Sequence, residues 1–147
     1  MPLQSPPRDA QGNVEPHDHV GIQAEDGILR RVSRQLVVFD PKIGRERLSS
    51  MAFKASTGSN AGMSVDLQRQ IEEVGLDAHL YVTTPQWVGS LRFAAGALRS
   101  EDFLVGFDPL PDNPHHGEVW GIFSKLKQKR LCELCQWFVP IDGVSIR

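Results

Sequence analysis

Between residues 108 and 117 the chain gathers Asp108, Asp112, Asn113, His115 and His116 around three prolines. Two carboxylates and two imidazoles are the groups that bind a divalent metal or move protons near neutral pH. Adjacent side chains on an extended backbone project to opposite faces, so one site takes at most one of His115 and His116. Three prolines forbid a regular ladder here and stiffen the loop. The bland reading is a proline-stiffened turn in which Asp and Asn cap backbone groups. The ligand-binding reading rests on Asp112, Asn113 and His115, and the catalytic candidates are His115 and His116 together with Arg31 and Arg45.

Cys132 and Cys135 have the spacing of a redox or zinc pair. A closed zinc site needs four ligands, and no second pair of this kind exists; Cys132, Cys135, His115 and His116 together would make one such set. Both thiols fall well inside an expected helix, away from the N-terminal position that favours a thiolate. Arg30, Arg31, Arg34, Arg45 and Arg47 form a basic cluster whose guanidinium forks suit phosphate or carboxylate. A solvated face with ordinary ion pairs is the simpler account, and it also covers Lys125, Lys127, Lys129 and Arg130. The serines at 49, 50, 56 and 59 sit in no nucleophile elbow, and neither a phosphate-binding loop nor a His-Glu-x-x-His motif is present.

These groups need a frame. Residues 36–39 form an apolar β-type run closed by Asp40-Pro41, and 45–54 can return as a second strand after a turn at 42–44. Leu67, Ile71 and Val74 lie on one helical face, with Ser64 or Asp66 as the cap and Gly75 as the stop. Alternation over 78–83 predicts a half-buried strand, and 90–98 is open to strand or helix. Residues 103–107 are apolar throughout, which predicts a central strand buried on both faces, followed by a strand at 119–123. Ser124 caps a final helix predicted to run to Phe138 and to end at Pro140, with Leu134 and Phe107 as core positions. The fold class is α+β: a mostly antiparallel sheet of about five or six strands with a C-terminal helix packed on one face.

The charge is uneven. Residues 1–26 carry one base and five acids with four prolines, whereas 27–147 carry fifteen bases and thirteen acids, for a net −2 overall. The first segment is expected to be a flexible acidic tail, able to dock through Val20 and Ile22, and 27–147 a single compact domain. A body so near neutrality makes nucleic acid an unlikely partner. No apolar run has membrane-span length, no secretory signal opens the chain, and two cysteines make no disulfide framework, so a cytoplasmic protein without a cofactor is expected.

Several stretches resemble a group of small uncharacterised bacterial proteins: Leu29-Arg30-Arg31-Val32-Ser33, Leu48-Ser49-Ser50-Met51-Ala52-Phe53, Met63-Ser64-Val65, and the run from Asp108 to His115. That resemblance implies a compact domain and no particular activity. The first stretch, with Gly44-Arg45, is also similar to the opening of RES-domain toxins, which resemble ADP-ribosyltransferases and consume NAD. It implies that Arg31 and Arg45 hold the NAD phosphates, with Glu101 or Glu118 as a late glutamate. The aromatic position of that motif is Arg30 here, and the tryptophan that follows its second arginine is absent.

The leading expectation is therefore a binding or accessory module that acts through contact with another protein. The alternatives are an NAD-using enzyme of the RES type and a metal-dependent hydrolase built on the His115–His116 loop.

Overall fold

The computed structural model describes residues 2–147. In chain order the elements are β1 (Gly27–Val32), β2 (Val37–Asp40), β3 (Arg45–Leu48), β4 (Met63–Leu67), α1 (Gln68–Glu73), α2 (Ala78–Tyr81) and β5 (Gly89–Ala94). There follow α3 (Ala95–Ser100), β6 (Leu104–Phe107), β7 (His116–Trp120), α4 (Lys125–Leu134), β8 (Gln136–Val139) and β9 (Val144–Ser145). Six strands form one sheet in the order β6-β7-β4-β1-β5-β8, antiparallel at every junction. A smaller sheet, β2-β3-β9, has one parallel junction, between β3 and β9. The expected α+β class with a mostly antiparallel sheet and a C-terminal helix on one face is what the chain adopts. No helix among the described residues is long and apolar enough to cross a membrane.

Period-two alternation decides the two faces of the large sheet. Ile28, Val32, Val65, Leu91, Phe93, Val105 and Val119 share the main core, which Leu98 of α3, Leu131 of α4 and Phe53 close over. Leu29 faces the other way and packs with Ile71, Ala78 and Val82 from α1, α2 and the turn after it. Leu134 and Phe107, expected in the core, are half-buried; Leu131 and Val105 take the interior positions.

Three elements depart from expectation, each for a local reason. Residues 78–83 are helical at 78–81, because Asp77 accepts from the N–H groups of His79 and Leu80; Ala78 and Val82 point inward while Leu80 is exposed. Helix α1 begins at Gln68 without a side-chain cap, since Ser64 and Asp66 belong to β4. Residues 90–98 contain both a strand and a helix. The last helix stops at Leu134: Cys135 is already extended, and Trp137 pairs with Leu91 in β8.

Residues 104–107 of the run 103–107 form a strand, but β6 lies at the sheet's edge and Leu104 is exposed. The segment expected to be a mobile tail lies along that edge. Ile22 is 3% exposed and docks as anticipated, whereas Val20 is 95% exposed. His19 N–H donates to Val105 O (2.8 Å), Val105 N–H to Asp18 Oδ1 (3.0 Å) and Phe107 N–H to His17 Nε2 (3.1 Å). An edge strand offers a row of unpaired backbone groups, and here two side chains take up its outward amides. His17 Nδ1 lies 2.7 Å from Glu15 O, which can only accept, so the imidazole accepts at Nε2 only while it is neutral. His17→Ala is expected to raise amide exchange at Phe107 about fivefold to tenfold, the loss of roughly one hydrogen bond. An unchanged rate would show that this contact does not hold the edge.

Candidate functional site

Strand β1 pairs with β5 along all six of its residues, but with β4 only at Ile28–Leu67 and Leu29–Asp66. Beyond Leu29 the two middle strands part. Arg30 fills the split, donating from Nε to Ala52 O (3.0 Å) and from Nη1 to Ser64 O (2.9 Å), so its guanidinium replaces strand-to-strand hydrogen bonds. A cleft of 360 Å³ opens there, lined by Arg30, Arg31, Ser64, Asp66, Trp87 and His116, among others.

Register places the polar groups of this cleft. Asp66 pairs with His116 and Ser64 with Glu118, so all four share the face that Leu29 occupies. Asp66 accepts from Arg31 Nε (2.8 Å) and Nη2 (3.1 Å) and from Asn113 Nδ2 (2.8 Å). Asn113 Oδ1 in turn accepts from the Tyr81 hydroxyl and from His115 N–H (3.2 Å). Asn113 thereby ties the proline-rich loop to the sheet, and Arg31 lies over the Tyr81 ring, 5.6 Å from its centre.

One step along the sheet, Asp108, His116 and Glu118 each offer a ligand atom, and these atoms lie within 4.8 Å of one another. His116 Nδ1 is 2.8 Å from the Asp108 carbonyl and 3.3 Å from Asp108 Oδ2, so Nδ1 carries a proton and Nε2 is the nitrogen left for a ligand. Nε2 sits 3.6 Å from Glu118 Oε1, too far for a hydrogen bond. Two ligands at about 2.1 Å from a tetrahedral metal lie about 3.4 Å apart, close to that gap. Glu118 Oε2 accepts from Gly62 N–H (2.7 Å) and Oε1 from Ser64 Oγ (3.2 Å). A Cβ on Gly62 would stand 2.9 Å from Glu118 Oε2 and 2.5 Å from Val119 O, so only glycine lets the backbone come this near.

Burial and charge act together on these groups. Burial pushes the Glu118 carboxyl above the usual range, against His116, the Gly62 N–H and the Ser64 hydroxyl, which all favour the carboxylate. For His116 burial opposes the charged form, but the Asp108 side chain and carbonyl, with Glu118, outweigh it and the pKa rises. His115 moves the other way: burial lowers it, and Asp66 only partly compensates. Burial also lowers Arg30, with Glu118 as the opposing charge.

Of the residues singled out in the sequence, the structure brings His116, Arg31 and Asn113 to one region. His115 packs edge-on against Tyr81 (5.4 Å between centres) and lies outside the Asp108–His116–Glu118 cluster. Asp112 is exposed at the loop's tip, outside the cluster. Arg45 opens β3 in the smaller sheet and lines a different cleft, beside Trp137 and Gly143, so Arg31 and Arg45 do not meet. Glu101 is held by Lys127 (3.4 Å) and Arg130 (3.1 Å) next to α4, whereas Glu118 lies beside the arginine-lined cleft. Cys132 and Cys135 do not join the histidines, for the only ligand cluster among the described residues is Asp108, His116 and Glu118. Cys132 Sγ instead faces Ile146 O, and burial pushes the Cys135 thiol up to about 12. With so little thiolate, Cys135 is expected to react with iodoacetamide at pH 8.5 roughly a thousandfold more slowly than a free thiol. Rapid native labelling at Cys135 would refute that burial.

Sequence reasoning passed over Glu118 as a partner of His116 because it began the strand at Val119. The signal was there: His116 and Glu118 are two apart, and two-apart residues on a strand share a face. No family model, curated protein or solved structure matches this chain.

Proposed function

We propose that the chain is a metal-dependent hydrolase of small anionic substrates, with Asp108, His116 and Glu118 as the metal ligands. The observation that carries this reading is the convergence of one imidazole and two carboxylates, within 4.8 Å, beside an arginine-lined cleft. A divalent ion held by three protein groups keeps open positions for water and lowers that water's pKa toward neutrality. Held by Asp108, His116 and Glu118, such an ion would supply the activated water that hydrolysis at a carbonyl or phosphoryl centre requires. Arg31 spends Nε and Nη2 on Asp66, which leaves Nη1 to meet an anionic substrate group. This departs from the expectation of no cofactor, and it uses His116 without His115.

The test is calorimetric titration of chelator-treated protein with Zn²⁺ and Mn²⁺, together with hydrolysis of the anionic ester p-nitrophenyl phosphate. One ion per chain and metal-dependent turnover support the reading. Absence of stoichiometric binding by either ion removes it.

A module that works by contact with another protein is the second reading, favoured by the exposed apolar side chains of Val38, Phe39 and Ile43 on the β2–β3 hairpin, Phe39 the most exposed of the three. It predicts that Phe39→Ser abolishes recovery of a specific partner while metal binding is unchanged. The NAD-using alternative gains less support, because the two arginines it requires line separate clefts.

A further inference from the structure

Away from the His116 cluster, α4, β3 and the turn after β3 enclose a groove of 790 Å³. Six basic side chains line it (Lys42, Arg47, Lys54, Lys125, Lys129 and Arg147) against one acidic side chain, Asp40. This concentration of positive charge sits in a chain whose net charge is −2. Arg47 is engaged, with Nε 2.8 Å from Asp40 Oδ2 and Nη1 2.8 Å from Leu48 O. Lys42, Lys54, Lys125 and Lys129 have no acidic partner at ion-pair distance among the described residues. The floor is apolar, formed by Leu48, Phe53 and Ile146.

Helical spacing sorts the lysines of α4. Lys125 and Lys129, one turn apart, face the groove, whereas Lys127 and Arg130 turn to Glu101, at 3.4 and 3.1 Å. Like charges held around one concavity repel, and a bound anion relieves that repulsion. Four unpaired ammonium groups over so small a volume call for three or four negative charges on one compact ligand, which polyphosphate supplies and single carboxylates do not. The apolar floor accommodates a planar or aliphatic group attached to the phosphates. We propose that this groove is a binding site for a small ligand bearing a polyphosphate chain, of the nucleoside polyphosphate class. It stands independently of the metal site, with which it shares no residue.

The experiment is calorimetric titration of the full chain with inorganic tripolyphosphate and with ATP, in chelator-containing buffer at low and at physiological ionic strength. Chelator keeps the result separate from the Asp108–His116–Glu118 cluster, and Asp108→Asn is expected to bind both ligands as wild type does. Lys125→Gln with Lys129→Gln is expected to weaken binding at least about tenfold. Lys127→Gln with Arg130→Gln removes the same charge from the same helix and is expected to leave affinity within about twofold. Thermal melts without ligand check that both double variants fold. Tripolyphosphate that does not bind, or equal weakening by the two pairs, overturns the site. So does a single-stranded oligonucleotide that binds more tightly than ATP and loses affinity with the Lys125/Lys129 pair, for that would make the groove a nucleic-acid surface.

Discussion

Asp66→Ala is expected to lower stability by about 2–4 kcal/mol, which for a chain of this size is a fall of roughly 5–15 °C in Tm. The Asp66 side chain is 4% exposed and its partner Arg31 is 23% exposed. Three hydrogen bonds converge on this carboxylate, two from Arg31 and one from Asn113. Truncating Asp66 leaves a largely buried guanidinium without a counter-charge, and that cost exceeds the net worth of the pair itself. Partial access of Arg31 to water keeps the loss below that of a fully sealed pair. The double variant Arg31→Met with Asp66→Ala is therefore expected to recover part of the stability, because no charge then remains unpaired. A loss under about half a kcal/mol in Asp66→Ala would mean that water replaces the carboxylate freely, and that Asn113 does not anchor the proline-rich loop through it.

The same residue shows where the sequence was readable and where it was not. The apolar runs at 36–39 and 103–107 each identify a strand. Neither pattern carries information on strand order, which depends on contacts between distant segments. So β6, whose apolar run predicts a central strand, is an edge, and its outward amides are met by His17 and Asp18 from a segment that composition alone marks as a tail. Short helices escape periodicity for a different reason. In α2 a single cap, Asp77, outweighs the alternating pattern, since four residues are too few for a helical face to register. At the end of α4, Trp137 and Phe138 continue the helical face numerically, yet the vacant edge of β5 pairs them as strand. The loop from Asp108 to His116 was legible as a site because its residue types are unusual. Its chemistry was legible only in part: Glu118 follows His116 by two on one strand, whereas Asp66 is brought to it by the register of β4 against β7, which no local pattern encodes.

Register is also why the two adjacent histidines are expected to behave so differently. His116→Ala is expected to weaken Zn²⁺ binding by at least about a hundredfold, and His115→Ala to leave it within about twofold. His116 presents Nε2 toward Glu118 Oε1 across 3.6 Å, with Nδ1 held on the Asp108 carbonyl at 2.8 Å, so its ring is already aimed as a ligand before any ion arrives. His115 is not part of that cluster and packs instead on Tyr81. Glu118→Gln removes an anionic ligand while keeping the side chain's size, and should lose affinity comparably to His116→Ala. It also withdraws the charge opposite Arg30, so its metal-free melting temperature has to be read beside the titration. A drop in affinity without a comparable drop in metal-free Tm places the effect at the ion. Equal binding by wild type, His116→Ala and Glu118→Gln would instead make this a buried polar contact that braces β7 against the loop, and the cleft between β1 and β4 would have no metal chemistry of its own.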